Sequence, residues 1–186
     1  MFRNKYRIGP DRYRGYDYSS PGAYFVTICT KNKNHYFGEI ENGKMILSEI
    51  GAIAKQMLIG IPVHFAFVSL DEFVIMPDHI HAIIVINEIQ KNQNDYFIGS
   101  SSFDNGLLTG TPGEIKNLHM SSISPSSGSL PIIVRSFKSA VTKTIHITKP
   151  DFEWQKSYYD HIIRTSIELS KIRNYIRDNP IKWNKT

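Results

Sequence analysis

A single cysteine, Cys29, among 186 residues removes two architectures at once. No internal disulfide can form, and no CxxC zinc site can be assembled. Long apolar runs are also missing. Stretches such as Ala82–Ile86 fall well short of the ~18 residues of a membrane span, so no membrane partner is expected. The opening stretch, MFRNKYRIGPDRYRGYDY, is basic but lacks the apolar segment of a secretory signal. The expected compartment is the cytoplasm. No internal repeat is visible, which argues against a solenoid. What remains is an ordinary globular composition, 41% apolar, 12% aromatic and 21% charged. A chain of this length can bury close to 70% of its unfolded surface, enough for a core without staples. One domain over 1–186 is the expectation.

The net charge of +5 is unevenly laid out. Residues 1–31 hold six Lys/Arg against two Asp/Glu, residues 32–130 five against ten, and residues 131–186 eleven against five. The ends are basic and the middle is acidic. If the ends meet, they form a basic surface carrying Tyr16, Trp154, Tyr158 and Tyr159. Cations mixed with stacking rings suit single-stranded nucleic acid.

Residues 1–20 read as a basic arm ending in the turn Ser19-Ser20-Pro21-Gly22. Ala23–Thr30 is β-branched and aromatic, hence a strand. Tyr36–Ile40 and Lys44–Leu47 flank Glu41-Asn42-Gly43, a hairpin signal. Ser48 caps a helix running to about Ile59, which Pro62 stops. Phe65–Ser69 and Glu72–Met76 are strand-like; Pro77-Asp78 is a turn, and His79–Asn87 the next strand. Residues 88–130 are Ser/Gly/Asn-rich without a period, expected to be an insertion or a mobile hairpin. Ile132–Ile147 has helical spacing, with Ile133, Phe137, Ala140, Val141 and Ile145 inward and Arg135, Lys138 and Lys143 outward. Phe152–Ile163 is strand-like. Thr165 and Glu168 fit a capping box that opens a helix with Ile167, Leu169, Ile172 and Ile176 inward. That helix should end near Asn179, before Pro180. Together these elements give an α+β class: an antiparallel sheet covered by helices.

His79-Ile80-His81 is the sharpest local feature. Strand alternation puts both imidazoles on one face, about 6.5–7 Å apart along the strand, with Ile83 and Val85. Ile80, Ala82, Ile84 and Ile86 line the other face. Two imidazoles can hold one divalent ion from one side. Asp78 is adjacent, but regular alternation would turn it away. On the last helix, Tyr175 and Asn179 are four residues apart and share a face, with Lys171 one turn earlier. Asn179 offers a carbonyl oxygen as a third ligand, and Lys171 a cation for a phosphate. A phenol is a weak nucleophile at neutral pH, because its pKa is near 10, and a nearby cation favours the phenolate. These parts make a coherent phosphoryl-transfer set.

FVIMPDHIHAIIVI, with GYDYSSPGAYFVTICT, IVRSFKSAVTK, WQKSYYDHIIR and IRNYIRDNPIKW in order, resembles the HUH single-tyrosine transposases. The closest likeness is to the REP-associated tyrosine transposase group. The likeness covers roughly 12–88 and 131–183. It implies a ferredoxin-like α/β sandwich with the HUH strand central in the sheet. It also implies Mg²⁺ or Mn²⁺ on His79, His81 and Asn179, and Tyr175 as nucleophile. Such an enzyme cuts single-stranded DNA at hairpins, through a 5′-phosphotyrosine link and a free 3′-hydroxyl, without a nucleotide cofactor. Tyr158 and Tyr159, with His161 as base, are rival nucleophiles, and alternation allows only one of them onto the active face. Candidates for DNA contact are Arg12, Arg14, Tyr16, Arg135, Lys138, Lys143, Trp154, Arg164 and Lys171. A homodimer is compatible with the likeness and would allow Tyr175 to act in cis or in trans. The departure from the family is the long 88–130 segment. The alternative reading is a non-cleaving DNA- or RNA-binding module descended from a transposase. A small metallohydrolase using water is a third reading, weakened by the lack of a carboxylate in phase with the histidines.

Overall fold

A computed structural model describes residues 15–88 and 128–183. Arg12, Arg14, and most of the 1–20 and 88–130 segments lie outside these residues. The β-branched and aromatic stretches form a four-stranded sheet of β1 (Gly22–Cys29), β4 (Val68–Ile75), β5 (His79–Ile86) and β6 (Tyr159–Ile163). Its order is β4-β5-β1-β6, and every neighbouring pair is antiparallel. Helix α1 (Glu49–Ile59) connects β1 towards β4, and α3 (Leu130–Ile145) precedes β6. This β-α-β-β-α-β order is the ferredoxin-like arrangement, as expected. A final helix, α4 (Ser166–Lys182), follows the sheet. A separate two-stranded ribbon, β2 (Gly38–Glu41) and β3 (Lys44–Leu47), turns at Asn42-Gly43. Both turn residues have positive φ, 49° and 74°, as a tight two-residue turn requires. Among the described residues, no helix is long and apolar enough to cross a membrane.

The two inner strands bury both faces, which is why they read as nearly continuous apolar runs. Tyr24, Val26 and Ile28 of β1 and Ile80, Ala82, Ile84 and Ile86 of β5 enter the main core with α1 and α3. Phe25 and Ile83 point to the opposite face, where α4 contributes Ile176. Each fully buried isoleucine contributes roughly 1.5–3 kcal/mol, so the thicker main core carries most of the stability. The α4 face has few fully buried residues and is pinned by charge instead. Arg173 pairs with Asp71 at 2.8 Å and Arg177 with Glu72 at 2.6 Å. Each of these half-exposed pairs is worth only about 0–1 kcal/mol, so their main effect is to set the position of α4 on the sheet.

Several sequence expectations change here. The two strand-like pieces 65–69 and 72–76 are one strand, β4, with an irregularity between Leu70 and Phe73. Such a bulge turns residues off the regular alternation, and Asp71 and Glu72 use it to meet α4. α1 ends at Ile59 as expected, with Gly60 at its C-cap. Pro62 lies just beyond, in the first turn of a short α2 (Ile61–His64), where proline's missing N–H costs nothing. Pro180 does not end the last helix; α4 continues to Lys182, since only its final turn lies beyond the proline. Ala140 and Ile167 face solvent, and Val134 is buried on α3 instead. Ser48 caps α1 as expected, its hydroxyl accepting from the Gly51 N–H at 3.0 Å. Thr165 caps α4, accepting from the Glu168 N–H at 3.1 Å. The Glu168 carboxylate reaches back to the Arg164 N–H, one residue before the expected partner.

Candidate active site

Alternation along β5 puts His79 and His81 on the α4 side of the sheet, next to Ile83. Their side chains converge until the two Nε2 atoms are 3.1 Å apart. The backbone spacing is set by the strand; the convergence is set by the Nδ1 atoms. The Asp78 carboxylate can only accept, so His79 Nδ1–H donates to it, at 2.5 Å. His81 Nδ1 lies 2.8 Å from the Thr27 hydroxyl, on the facing residue of β1. Helix α4 lays Tyr175 over this pair, its hydroxyl 3.3 Å from His81 Nε2. With His81 Nδ1–H donating to Thr27 Oγ1, the arrangement that metal binding requires, both histidines would point an Nε2 lone pair into the same gap. Two acceptor nitrogens at that separation repel unless a proton or a cation lies between them.

Phe25 supports the pair from β1. Its ring stacks on His81 at 5.2 Å and meets the Tyr175 ring edge-on at 6.1 Å. His81 is only 5% exposed. Burial, and after it the neighbouring His79, hold its pKa well below the ordinary imidazole value of 6.5. The folded protein therefore keeps His81 neutral where the unfolded chain would protonate it. As pH falls below about 6.5, the unfolded state binds the extra proton and stability is lost. In EDTA, denaturation midpoints should fall between pH 7.5 and 5, by at most about 1.4 kcal/mol per pH unit from this group. The slope should shrink in His81→Gln; an unchanged slope would contradict the assignment.

Among the described residues, no three His, Cys, Asp or Glu side chains gather as a metal-binding set. Tyr175 touches the His81 ring at 5.3 Å, and Trp183 touches the His79 ring at 5.8 Å. Asn179 is four residues from each of Tyr175 and Trp183 along α4. The residues that could hold a divalent ion are His79 and His81 through Nε2, with the Asn179 side-chain oxygen as the expected third donor. Two nitrogens each about 2.1 Å from one ion, at a right angle, lie about 3.0 Å apart, so the observed gap fits a divalent ion.

Sequence reasoning missed five contributors. Asp78 precedes the first residue of β5, in the turn, where alternation does not apply; it folds back onto His79 instead of facing away. Thr27 depends on the β1–β5 register, Trp183 on the helix passing Pro180, and the Arg173 and Arg177 anchors on the β4 bulge. Of the rival nucleophiles, Tyr159 shares the Tyr175 face and meets Phe25 at 6.4 Å, while Tyr158 packs against the main core. His161 Nε2 is engaged by Glu168 at 2.7 Å, at the far end of α4 from Asn179.

The candidate DNA contacts fall in different places. Arg135, Lys138, Lys143 and Trp154 line one groove between α3 and the segment before β6. The Trp154 ring is packed against Phe37, Phe137 and Phe152, and its N–H donates to the Lys138 carbonyl at 3.2 Å. Tyr16 packs with Tyr18 and Tyr24, its hydroxyl 3.3 Å from that of Tyr24. Arg164 and Lys171 are exposed, at the start of α4 and one turn before Tyr175.

No protein-family model matches the chain. An uncharacterized protein of Haemophilus influenzae is 40% identical over 173 residues, which span 92% of this chain and 87% of that protein. The chain belongs to the same family as that protein. Among solved structures, a REP-associated tyrosine transposase bound to a REP hairpin is similar, with a TM-score of 0.57 and 15% identity. The likeness covers 95% of this chain and 76% of that one, and it shows a shared fold. A Deinococcus radiodurans protein is more distant, with a TM-score of 0.44, 16% identity and coverage of 90% and 96%.

Proposed function

We propose that this chain is a metal-dependent single-stranded DNA endonuclease and strand transferase. It cuts at DNA hairpins through a 5′-phosphotyrosine intermediate. The observation that carries the reading is the Tyr175 hydroxyl, 3.3 Å from His81 Nε2, which is itself 3.1 Å from His79 Nε2. The fold shared with a hairpin-bound transposase supports it.

His79 Nε2, His81 Nε2 and the Asn179 side-chain oxygen would hold Mg²⁺ or Mn²⁺. Bound there, the ion would favour the phenolate and offset phosphate charge that repels an anionic attacker. The chain's own residues do the rest. Asp78 and Thr27 keep the Nδ1 protons in place and both Nε2 lone pairs turned inward. Phe25 holds the His81 and Tyr175 rings in fixed relation and keeps water out from the sheet side. The Tyr175 phenolic oxygen attacks phosphorus; an O–P bond forms and the P–O3′ bond breaks. The phenolic proton is lost to solvent and the leaving 3′-oxygen gains one, giving a 3′-hydroxyl. Attack by another 3′-hydroxyl reverses the step and releases Tyr175, and the phosphotyrosine conserves the bond energy, so no nucleotide cofactor is required. A monomer would use Tyr175 in cis, and the 3.3 Å approach of its hydroxyl to its own chain's His81 supports that mode.

The test is a denaturing gel of the protein with single-stranded hairpin oligonucleotides from the DNA flanking its gene. A heat-stable protein–DNA band that forms with Mn²⁺ and not with EDTA is the expected result. Tight native binding with no such band on any flanking hairpin would instead support the non-cleaving binding module.

A further inference from the structure

Trp183 stands at the C-terminal end of α4, one residue past Lys182. Its backbone is still helical, with φ −56° and ψ −47°. That carries it onto the face that holds Tyr175 about two turns earlier. It belongs to neither of the buried apolar clusters on the two faces of the sheet. Its ring lies instead on His79, at 5.8 Å and tilted by 37°. Helix α4 thus sets an aromatic ring against each histidine of the pair, Tyr175 on His81 and Trp183 on His79. We propose that Trp183 is a positioning residue of this centre: it fixes the plane of the His79 imidazole, and with it the direction of the Nε2 lone pair.

The two histidines are held differently. His81 is buried within β5, with Phe25 stacked on its ring at 5.2 Å and Thr27 at its Nδ1. His79 opens the strand and faces Cys29 across β1, a side chain too small to cover a ring. Its Nδ1 is tied to Asp78. One hydrogen bond fixes one atom of a ring and leaves the ring free to tilt about that contact. Among the described residues, the rings that meet His79 are those of His81, at 4.5 Å and steeply inclined at 71°, and Trp183. Trp183 therefore does for His79 what Phe25 does for His81. The indole is itself held. Its backbone N–H donates to the Pro180 carbonyl, and its ring meets His35 at 5.8 Å. Two residues after His35, the Phe37 N–H donates to the Pro77 carbonyl at 3.1 Å. Buried Thr30 donates to the Asp78 carbonyl, through its N–H at 2.9 Å and its hydroxyl at 3.0 Å. The turn that carries Asp78 and the segment that carries His35 are thus tied to one another, and Trp183 rests against both. Beside it on α4, Ile181 faces the ribbon tip, where a Cβ on Gly43 would come 3.6 Å from the Ile181 Cα. That the lone pair serves a metal rests on the function proposed above; the contact with His79 does not.

Trp183→Leu and Trp183→Phe, each in the full chain, test this role. Leucine keeps apolar bulk and loses the ring; phenylalanine keeps a ring. The first measurement is metal-free. NMR of histidine-labelled protein in EDTA follows exchange of the His79 Nδ1 proton with water. Exchange is expected to rise at least about tenfold in Trp183→Leu and to stay near wild type in Trp183→Phe. The second is Mn²⁺ affinity by calorimetry. It is expected to weaken by about 10–100-fold in Trp183→Leu, as for loss of an outer partner of a metal ligand, and to be restored in Trp183→Phe. Adduct formation should slow in Trp183→Leu with hairpin affinity unchanged. The melting temperature should stay close to wild type, because the ring lies outside both apolar clusters. A lowered melting temperature, with His79 exchange and Mn²⁺ affinity unchanged, would make Trp183 an anchor of the helix end only and overturn the proposal. If wild type binds no Mn²⁺, the cleavage reading falls, and the exchange measurement still decides this one: unchanged exchange in Trp183→Leu overturns it. The two can therefore fail separately.

Discussion

Tyr175→Phe is expected to abolish the covalent protein–DNA adduct while leaving the fold and the affinity for a DNA hairpin in place. The substitution removes one oxygen. The ring keeps its contacts with Phe25 and His81, so the packing of α4 survives. What is lost structurally is one hydrogen bond to His81 Nε2, worth about 0.5–1.5 kcal/mol. What is lost chemically is the attacking atom, and removing a nucleophile costs on the order of 10⁴-fold or more in rate. The measurement is the denaturing gel with Mn²⁺, paired with native binding and a melting curve. Tyr159→Phe is the matched control. Tyr159 sits on the same face of the sheet and meets Phe25 at 6.4 Å, and it should retain the adduct. An adduct that survives Tyr175→Phe and disappears in Tyr159→Phe would transfer the role to Tyr159.

His81→Ala is expected to remove divalent-metal binding and cleavage together. It deletes one of the two converging nitrogens, and among the described residues no group of three His, Cys, Asp or Glu gathers to replace it. Mn²⁺ affinity, followed by calorimetry, should fall by at least about 100-fold. Asp78→Ala offers a graded comparison. It leaves both nitrogens but frees the His79 ring, and loss of such an outer partner typically costs about 10–100-fold. Unchanged Mn²⁺ affinity in His81→Ala, with a normal melting curve, would exclude the histidine pair as the metal site.

Much of this centre was legible in the chain because it depends on local periods. A period of two places His79 and His81 on one face and Ile80, Ala82, Ile84 and Ile86 on the other, as observed. A spacing of four places Tyr175 and Asn179 on one helix face. Ser48 and Thr165 announce helix starts because capping is a contact between near neighbours. Expectations failed where a distant contact outweighed a local rule. Asp71 and Glu72 interrupt an apolar pattern and so look like a break between strands. They are kept inside one bulged strand because two arginines more than a hundred residues later need them there. Pro180 predicts a helix end by its own stereochemistry, yet the last turn forms and Trp183 rests on His79.

By itself, then, the sequence determined the class of fold, the two faces of β5, and which residue types share a face with Tyr175. Each of these follows from backbone geometry within a few residues. Tertiary structure alone decided that Thr27 holds His81, that Asp78 holds His79, and that Tyr175 reaches this pair. It also decided that Arg135, Lys138, Lys143 and Lys156 share one groove. The reason is physical. These groups are brought together by strand register and helix docking, which are set by the packing of the whole core, and no spacing along the chain records that.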